Sequence, residues 1–150
     1  MMIINIICEM QDKGLCGRAL SRLDQDGFRP DVRQYVTSDI DANESVFFEI
    51  TEALKECSLV IIRVHAGLTY FKKYDRLKEI ISKEGVSLII QSEMPDDIIE
   101  NRPLFRGSEE DYLKIRSYIE LGGEKNESNL YLWLMREIDG LNLYVDPPER

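Results

Sequence analysis

Arg63, His65 and Gly67 follow the most apolar run of the chain, Leu59-Val60-Ile61-Ile62. A guanidinium at the end of such a run must be paired or must reach the rim of the strand, because burying it alone is costly. Strand alternation puts Arg63 and His65 on the same face. Glu9 and Glu93 are the candidate carboxylate partners. Two readings follow: a structural ion pair that fixes the crossover loops, or an anion or carboxylate clamp built on the planar arginine fork. His65 is the only histidine, and a proton-transfer group or a metal ligand is the chemistry it would offer. No second ligand stands at a spacing such as H-x-x-x-H, so a hydrogen-bonded loop histidine is the expectation.

The other candidates are weaker. Gly14-Leu15-Cys16-Gly17 could cradle a phosphate at a helix N-terminus, but it matches neither G-x-G-x-x-G nor G-x-x-x-x-G-K-[ST], and a flexible turn is expected. Met94-Pro95-Asp96-Asp97 places an acidic pair after a later strand, which reads as a solvated turn and helix cap before it reads as a divalent-metal contact. A site made of Cys8, Cys16, Glu9 and His65 would require tertiary coincidence. The chain has no G-x-S-x-G, no H-E-x-x-H and no Cys–His pair at a known spacing.

These residues need elements to position them. Met1 to Cys8 is a nearly continuous apolar run, as expected of a strand covered on both faces. Leu15, Cys16, Ala19, Leu20 and Leu23 form a helical stripe stopped by Gly27. A weaker strand spans Val32 to Val36. Asn43 caps a helix whose inner face is Val46, Phe47, Ile50, Ala53, Leu54 and Cys57. The Leu59 strand is placed centrally. A helix from about Thr69 to Lys83, with four lysines outward, ends at Gly85, and Val86 to Ile90 is a fourth strand. Gln91 to Gly107 reads as an irregular connection with a short helical turn at Asp97–Glu100. Ser108 and Asp111 open a helix that ends at Gly122-Gly123. Another helix starts near Asn126, with Leu130, Trp133, Leu134 and Ile138 on one stripe, and Leu141 to Val145 could add an edge strand.

The alternation of strands and helices predicts an α/β fold: a mostly parallel, flavodoxin-like (Rossmann-like) sheet of four to five strands, order 2-1-3-4, with helices on both faces and two extra C-terminal helices. Residues 1–145 are read as a single domain and 146–150 as an exit linker. In such sheets ligands bind beyond the carboxyl ends of the strands where the order reverses. That point gathers Cys8, Glu9, Met10 and Asp12 with Arg63, His65 and Gly67, and Gln91, Ser92 and Glu93 can reach the same rim.

Composition narrows the functions. The 150 residues suffice for one buried core. With 28 acidic against 19 basic residues, net charge −9, the chain does not suit phosphate-neutralising nucleic-acid binding or anionic lipid. No run approaches the roughly 18 apolar residues of a membrane span. The apolar start lacks the basic region and cleavage site of a signal peptide. Three cysteines without C-x-x-C spacing fit a reducing, cytoplasmic setting, with Cys8 and Cys57 as small core residues.

The run Leu59 to Gly67, followed by Tyr70-Phe71, resembles a strand in the N-terminal region of the large subunit of cobaltochelatase, CobN, a class that includes the magnesium chelatase large subunit. Asp96-Asp97 after the fourth strand resembles an acidic pair of that family. Tyr118-Ile119-Glu120-Leu121-Gly122-Gly123-Glu124-Lys125-Asn126-Glu127-Ser128-Asn129 resembles its tyrosine-x-x-x-GG-x-x-N-x-x-N segment, and Pro147-Pro148 its proline-rich exit. The likeness covers Leu59 to Arg150 by residues and Met1 to Ser58 by layout. Ala66-Gly67 departs from the two glycines usual in the family. The resemblance implies a non-catalytic α/β module, a scaffold or lid, of a very long subunit. That subunit inserts metal into a tetrapyrrole, in cobalamin biosynthesis, with ATP-hydrolysing partner subunits. Tetrapyrrole, cobalt and ATP would belong to the full complex, with no cofactor, no catalytic residue and no metal ligand in this chain. The alternative is a free-standing flavodoxin-like protein binding a small anionic ligand at Arg63, His65 and the Gly14–Gly17 turn, with Gly67, Glu9 and Glu93 on its rim. A phosphoacceptor receiver domain is set aside because His65 stands where an aspartate would end the third strand.

Overall fold

The computed structural model describes residues 1–8 and 10–150, residues 10–12 through their backbone alone. Four strands, β1 (Met2–Ile7), β2 (Asp31–Val36), β3 (Leu59–Val64) and β4 (Ser87–Ser92), form one sheet in the expected order 2-1-3-4. β1 pairs with β3 and β3 with β4, both in parallel, so that Ile7, Arg63 and Gln91 lie side by side. Every residue of β1 and β3 is buried, as the isoleucine- and valine-rich runs require of parallel strands. The described helices are α1 (Met10–Gln25), α2 (Thr37–Ala42), α3 (Glu44–Ala53), α4 (Tyr74–Glu84), α5 (Pro95–Asn101), α6 (Glu109–Leu121) and α7 (Glu124–Asp139).

The chain divides into two compact units that interleave in sequence. One, residues 2–10 and 32–106, holds the strands with α2 to α5. In it Met2, Ile4, Ile6, Val60, Ile62, Val64, Leu88 and Ile90 share a core with Phe47 and Ile50 of α3 and Leu77 and Ile81 of α4. Asn43 caps α3 by accepting the Ser45 N–H at 3.0 Å, and Gly85 ends α4 in the left-handed region at φ 71°. The helix expected from Thr69 starts later. Residues 68–70 form a 3-10 turn, and the Asp41 carboxylate of α2 accepts the N–H groups of Lys72 and Lys73, both at 2.9 Å, where α4 begins. Of the four lysines expected outward, Lys73 turns in. Its ammonium donates to the Ile40 carbonyl at 2.8 Å and pairs with Glu44 at 3.1 Å.

The second unit, residue 1 with 11–31 and 107–150, holds α1, α6 and α7. Ser108 caps α6 by accepting the Asp111 N–H at 3.1 Å. Cys16 of α1 lies 3.0 Å from the Tyr131 hydroxyl of α7, which donates to the buried Glu127 carboxylate at 2.6 Å. Ser128 of α7 donates to the Ala19 carbonyl of α1 at 3.5 Å. Cys16 is the fully buried cysteine, while Cys8 and Cys57 are half-buried against the sheet's core, and no disulfide is found among the described residues.

The connection expected to be irregular from Gln91 to Gly107 instead carries β4 to Ser92, α5 over Pro95–Asn101 and a 3-10 turn at 102–104. Three further expectations are corrected. Gly14–Gly17 is no βα turn, since it lies inside α1. A helical glycine costs about 1 kcal/mol, which the Leu15, Cys16, Ala19 and Leu23 stripe offsets by burial. Leu141 to Val145 is no strand; the Leu143 N–H donates locally to the Leu141 carbonyl at 3.1 Å. Ile138, expected on the buried stripe, is 44% exposed, being in the last turn of α7.

Glu44 joins α3 to α4. Arg76 reaches its carboxylate at 2.8 Å while lying 4.4 Å over the Phe47 ring. Hydrogen bonds from Arg76 and then Lys73 hold the Glu44 carboxyl at about 2. A depressed carboxyl stabilises the fold fully above its unfolded value and loses that contribution as pH falls through the folded one. Urea midpoints of wild type and Glu44→Gln should therefore differ above about pH 4.5 and converge toward pH 2. The gap should narrow in salt because these groups are exposed.

Candidate functional site

The carboxyl ends of β3 and β4 are where a ligand would meet this sheet. β3 ends at Val64, and past it the backbone bends. The Cys8 N–H donates to the Arg63 carbonyl at 3.2 Å, and the His65 N–H donates to the Cys8 sulfur at 3.4 Å. The parallel ladder thus continues one residue past β1 and ends on a thiol. Arg63 is buried at 7% exposure, whereas His65 is exposed.

Arg63 does not sit alone among apolar residues. The even-numbered residues of β1, β3 and β4 build the core described above, so Asn5, Arg63 and Gln91 fall on the opposite face. Asn5 is 1% exposed. The Gln91 Oε1 is buried and has no hydrogen-bond partner among the described residues. In register Arg63 stands between Ile7 and Gln91, and Asn5 stands beside Ile61 two residues earlier, so the three polar residues lie staggered on the carboxyl half of this face.

Beyond β3 the chain turns at Gly67, whose φ of 107° only glycine adopts readily. Ala66 has no positive φ, so one of the two glycines usual in the resembled family suffices here. A Cβ at Gly67 would stand 2.9 Å from Met94 Cγ and 3.3 Å from Asp97 Oδ2. This close approach exists because Asp97, in the first turn of α5, bridges both loops. One of its oxygens accepts the Leu68 N–H at 2.9 Å and the Ser92 hydroxyl at 2.8 Å. Ser92 in turn accepts the Met94 N–H at 3.0 Å. Asn101 donates to the Asp97 carbonyl at 2.6 Å and accepts from the Tyr74 hydroxyl.

Next to this bridge is a polar cleft of about 300 Å³, whose walls include Lys72, Asp75, Lys78, Asp97 and Glu100. Tyr74, on its floor, has its phenol pushed well above the ordinary range, first by burial and then by the Asp75 and Asp97 charges. The phenol stays a protonated donor to Asn101, and the cleft offers mixed charges and hydrogen-bonding groups but no base–nucleophile pair.

The sequence-derived residues are only partly gathered. Arg63 and Gly67 stand on β3 and the turn after it, while His65 and Glu93 are exposed in the loops after β3 and β4. Glu9 lies outside the described residues. Among the described residues no group of three or more His, Cys, Asp and Glu is arranged to hold a metal ion, and no helix is long and apolar enough to cross a membrane. Sequence reasoning missed Asp97 as a bridge, along with Tyr74, Asn101 and the cleft lysines. Pro95 followed by two acids signals a helix start, but its reach to Leu68 and Ser92 needs the parallel pairing of β3 with β4.

No family model matches the chain, and no curated protein matches it. Among solved structures, the chain is similar to the catalytic subunit of cobaltochelatase from Mycobacterium tuberculosis. The TM-score is 0.69 at 18% identity, over 99% of this chain and 11% of that one. At this identity the likeness shows the α/β fold alone, and the chain spans about a tenth of the length of that subunit.

Gly67→Ala should destabilise the protein by about 1–3 kcal/mol, from strained backbone and the contact with Met94. Chemical denaturation of the variant, with and without Met94→Ala, measures the two parts. Truncating Met94 relieves the contact and leaves the backbone strain.

Proposed function

We propose that this chain is a non-catalytic α/β module related to a cobaltochelatase large subunit, taking part as a scaffold or lid in ATP-dependent metal insertion into a tetrapyrrole. The observation that supports this most is the fold likeness along 99% of the chain to a subunit roughly nine times longer. The residue pattern from Leu59 through Asn129 to Pro147-Pro148 points the same way. On this reading metal, tetrapyrrole and nucleotide are handled by the rest of the assembly, and the partners are the remaining chelatase domains and the ATP-hydrolysing subunits. The braced loops after β3 and β4 would present a preformed edge to them.

The test mixes the purified chain with Co²⁺, ATP and a metal-free tetrapyrrole. The chain alone should release no phosphate and insert no metal, followed by the tetrapyrrole absorbance. Added to a cobaltochelatase large subunit lacking the matched segment, with its ATPase partners, it should raise the insertion rate. Metal insertion by the chain alone, or no effect on the truncated subunit, contradicts the proposal.

Arg63 beside Gln91 near the carboxyl end of the sheet, with Asn5 on the same face, favours a second reading, a free-standing module binding a small anion at the Arg63/His65 edge. Thermal-shift measurements with phosphate, nucleotides, flavins and corrinoids separate the two. An anion that raises the melting temperature of wild type but not of Arg63→Met supports this second reading; a melting temperature that none of these compounds raises supports the first.

A further inference from the structure

Residues 141–150 form neither helix nor strand, yet they are held at defined points by α6 and α7. Tyr118 of α6, 1% exposed, donates its hydroxyl to the Asp146 carbonyl at 2.6 Å. Asn126 of α7, 3% exposed, uses its whole amide. Its Nδ2 donates to the Glu149 carbonyl at 2.5 Å and to the Gly122 carbonyl at 2.7 Å, while its Oδ1 accepts the Glu149 N–H at 3.0 Å. One side chain thus pairs both backbone groups of a single residue, as a neighbouring strand would. Val145 is buried at 8% exposure. The Lys125 ammonium pairs with the Glu149 carboxylate and lies 4.0 Å from that of Asp146.

The sequence between the two clamped positions suits this arrangement. Pro147 and Pro148 have no N–H to satisfy and hold an extended backbone. The clamp depends equally on its occupant. Without residues 146–149, the Tyr118 hydroxyl and the Asn126 Oδ1 would exchange their protein partners for water, while the Asn126 Nδ2 would keep the Gly122 carbonyl. A surface whose side chains are spaced to pair a carbonyl and, three residues on, both backbone groups of one residue suits an extended backbone.

We propose that the α6–α7 hairpin is a peptide-recognition surface for an extended segment of apolar-acid-Pro-Pro-acid chemistry, filled in cis by Val145–Glu149 and competent to take the same peptide in trans when that segment is displaced. Tyr118 and Asn126 read the backbone, Val145 is the apolar anchor and Lys125 selects acidic flanks. Tyr118, Gly122, Gly123 and Asn126 are the residues that the tyrosine-x-x-x-GG-x-x-N pattern singles out. Their placement gives that pattern a physical task unconnected with the sheet edge.

The test has two parts on the full chain. In wild type the Glu149 amide should exchange hydrogen at least tenfold more slowly than in the free peptide 141–150. Asn126→Ala should bring it to the free rate while the amides of α4 stay protected. A free-peptide rate in wild type, or unchanged protection in Asn126→Ala, overturns the cis clamp. Val145→Asp and, separately, Glu149→Pro displace the segment by removing the anchor and the donor. Titrating these variants with millimolar peptide 141–150 should shift the Asn126 side-chain amide resonances saturably, and Asn126→Ala in the same backgrounds should abolish binding. No saturable shift in either displaced variant overturns the recognition surface.

Discussion

A parallel strand buried along its whole length, as β3 is, has its backbone committed to two neighbours and its side chains to two faces. Polar chemistry can then enter only where the strand ends, and the rest of the sheet unit follows from that constraint. Arg63 is the penultimate residue of β3, in register with Gln91, and the loops beyond it must turn without exposing unpaired backbone. Gly67 supplies the turn and Asp97 supplies the acceptor. A carboxylate that accepts from two loops at once converts two flexible connections into one edge. Hydrogen bonds to an ionised acceptor are about twice as strong as neutral ones.

The same logic explains the character of the cleft beside that edge. Its charges, Lys72, Asp75, Lys78 and Glu100, sit on the first half of α4, the last turn of α5 and the segment before α4. Their placement descends from the bridge, because Asn101 ties α5 to Tyr74 of α4 through the same residue that Asp97 touches. The helical unit solves a similar problem with different means. There the buried polar groups of Tyr118 and Asn126 are satisfied by an irregular segment and not by a strand.

Periodicity made the sheet legible. The apolar runs at Met2, Leu59 and Leu88 and the caps at Asn43, Ser108 and Gly85 are local signals, and the strand order follows from right-handed crossovers. The Gly14–Gly17 reading failed because a glycine pair weighs toward a turn locally, while the burial of Cys16 and Ala19 that keeps α1 helical is tertiary. Arg63 was legible as a buried cation on a rim. Asp97 was not, since its partners Leu68 and Ser92 lie 29 and 5 residues away and meet it only through the pairing of β3 with β4. Asn126 stood out in the sequence as part of a pattern, but its partner Glu149, 23 residues on, carries no signal of being clamped by its backbone.

The central claim is that the carboxyl edge of the sheet is preformed by the Asp97 bridge. The exchange rate of the Leu68 amide, measured by NMR in wild type and in Asp97→Ala, tests it most directly. The account predicts slow exchange of Leu68 in wild type, although its neighbour Thr69 is exposed, and acceleration by a factor of about ten or more in Asp97→Ala, with the β3 ladder amides unchanged. Fast exchange of Leu68 in wild type, or protection that survives loss of the carboxylate, would contradict it.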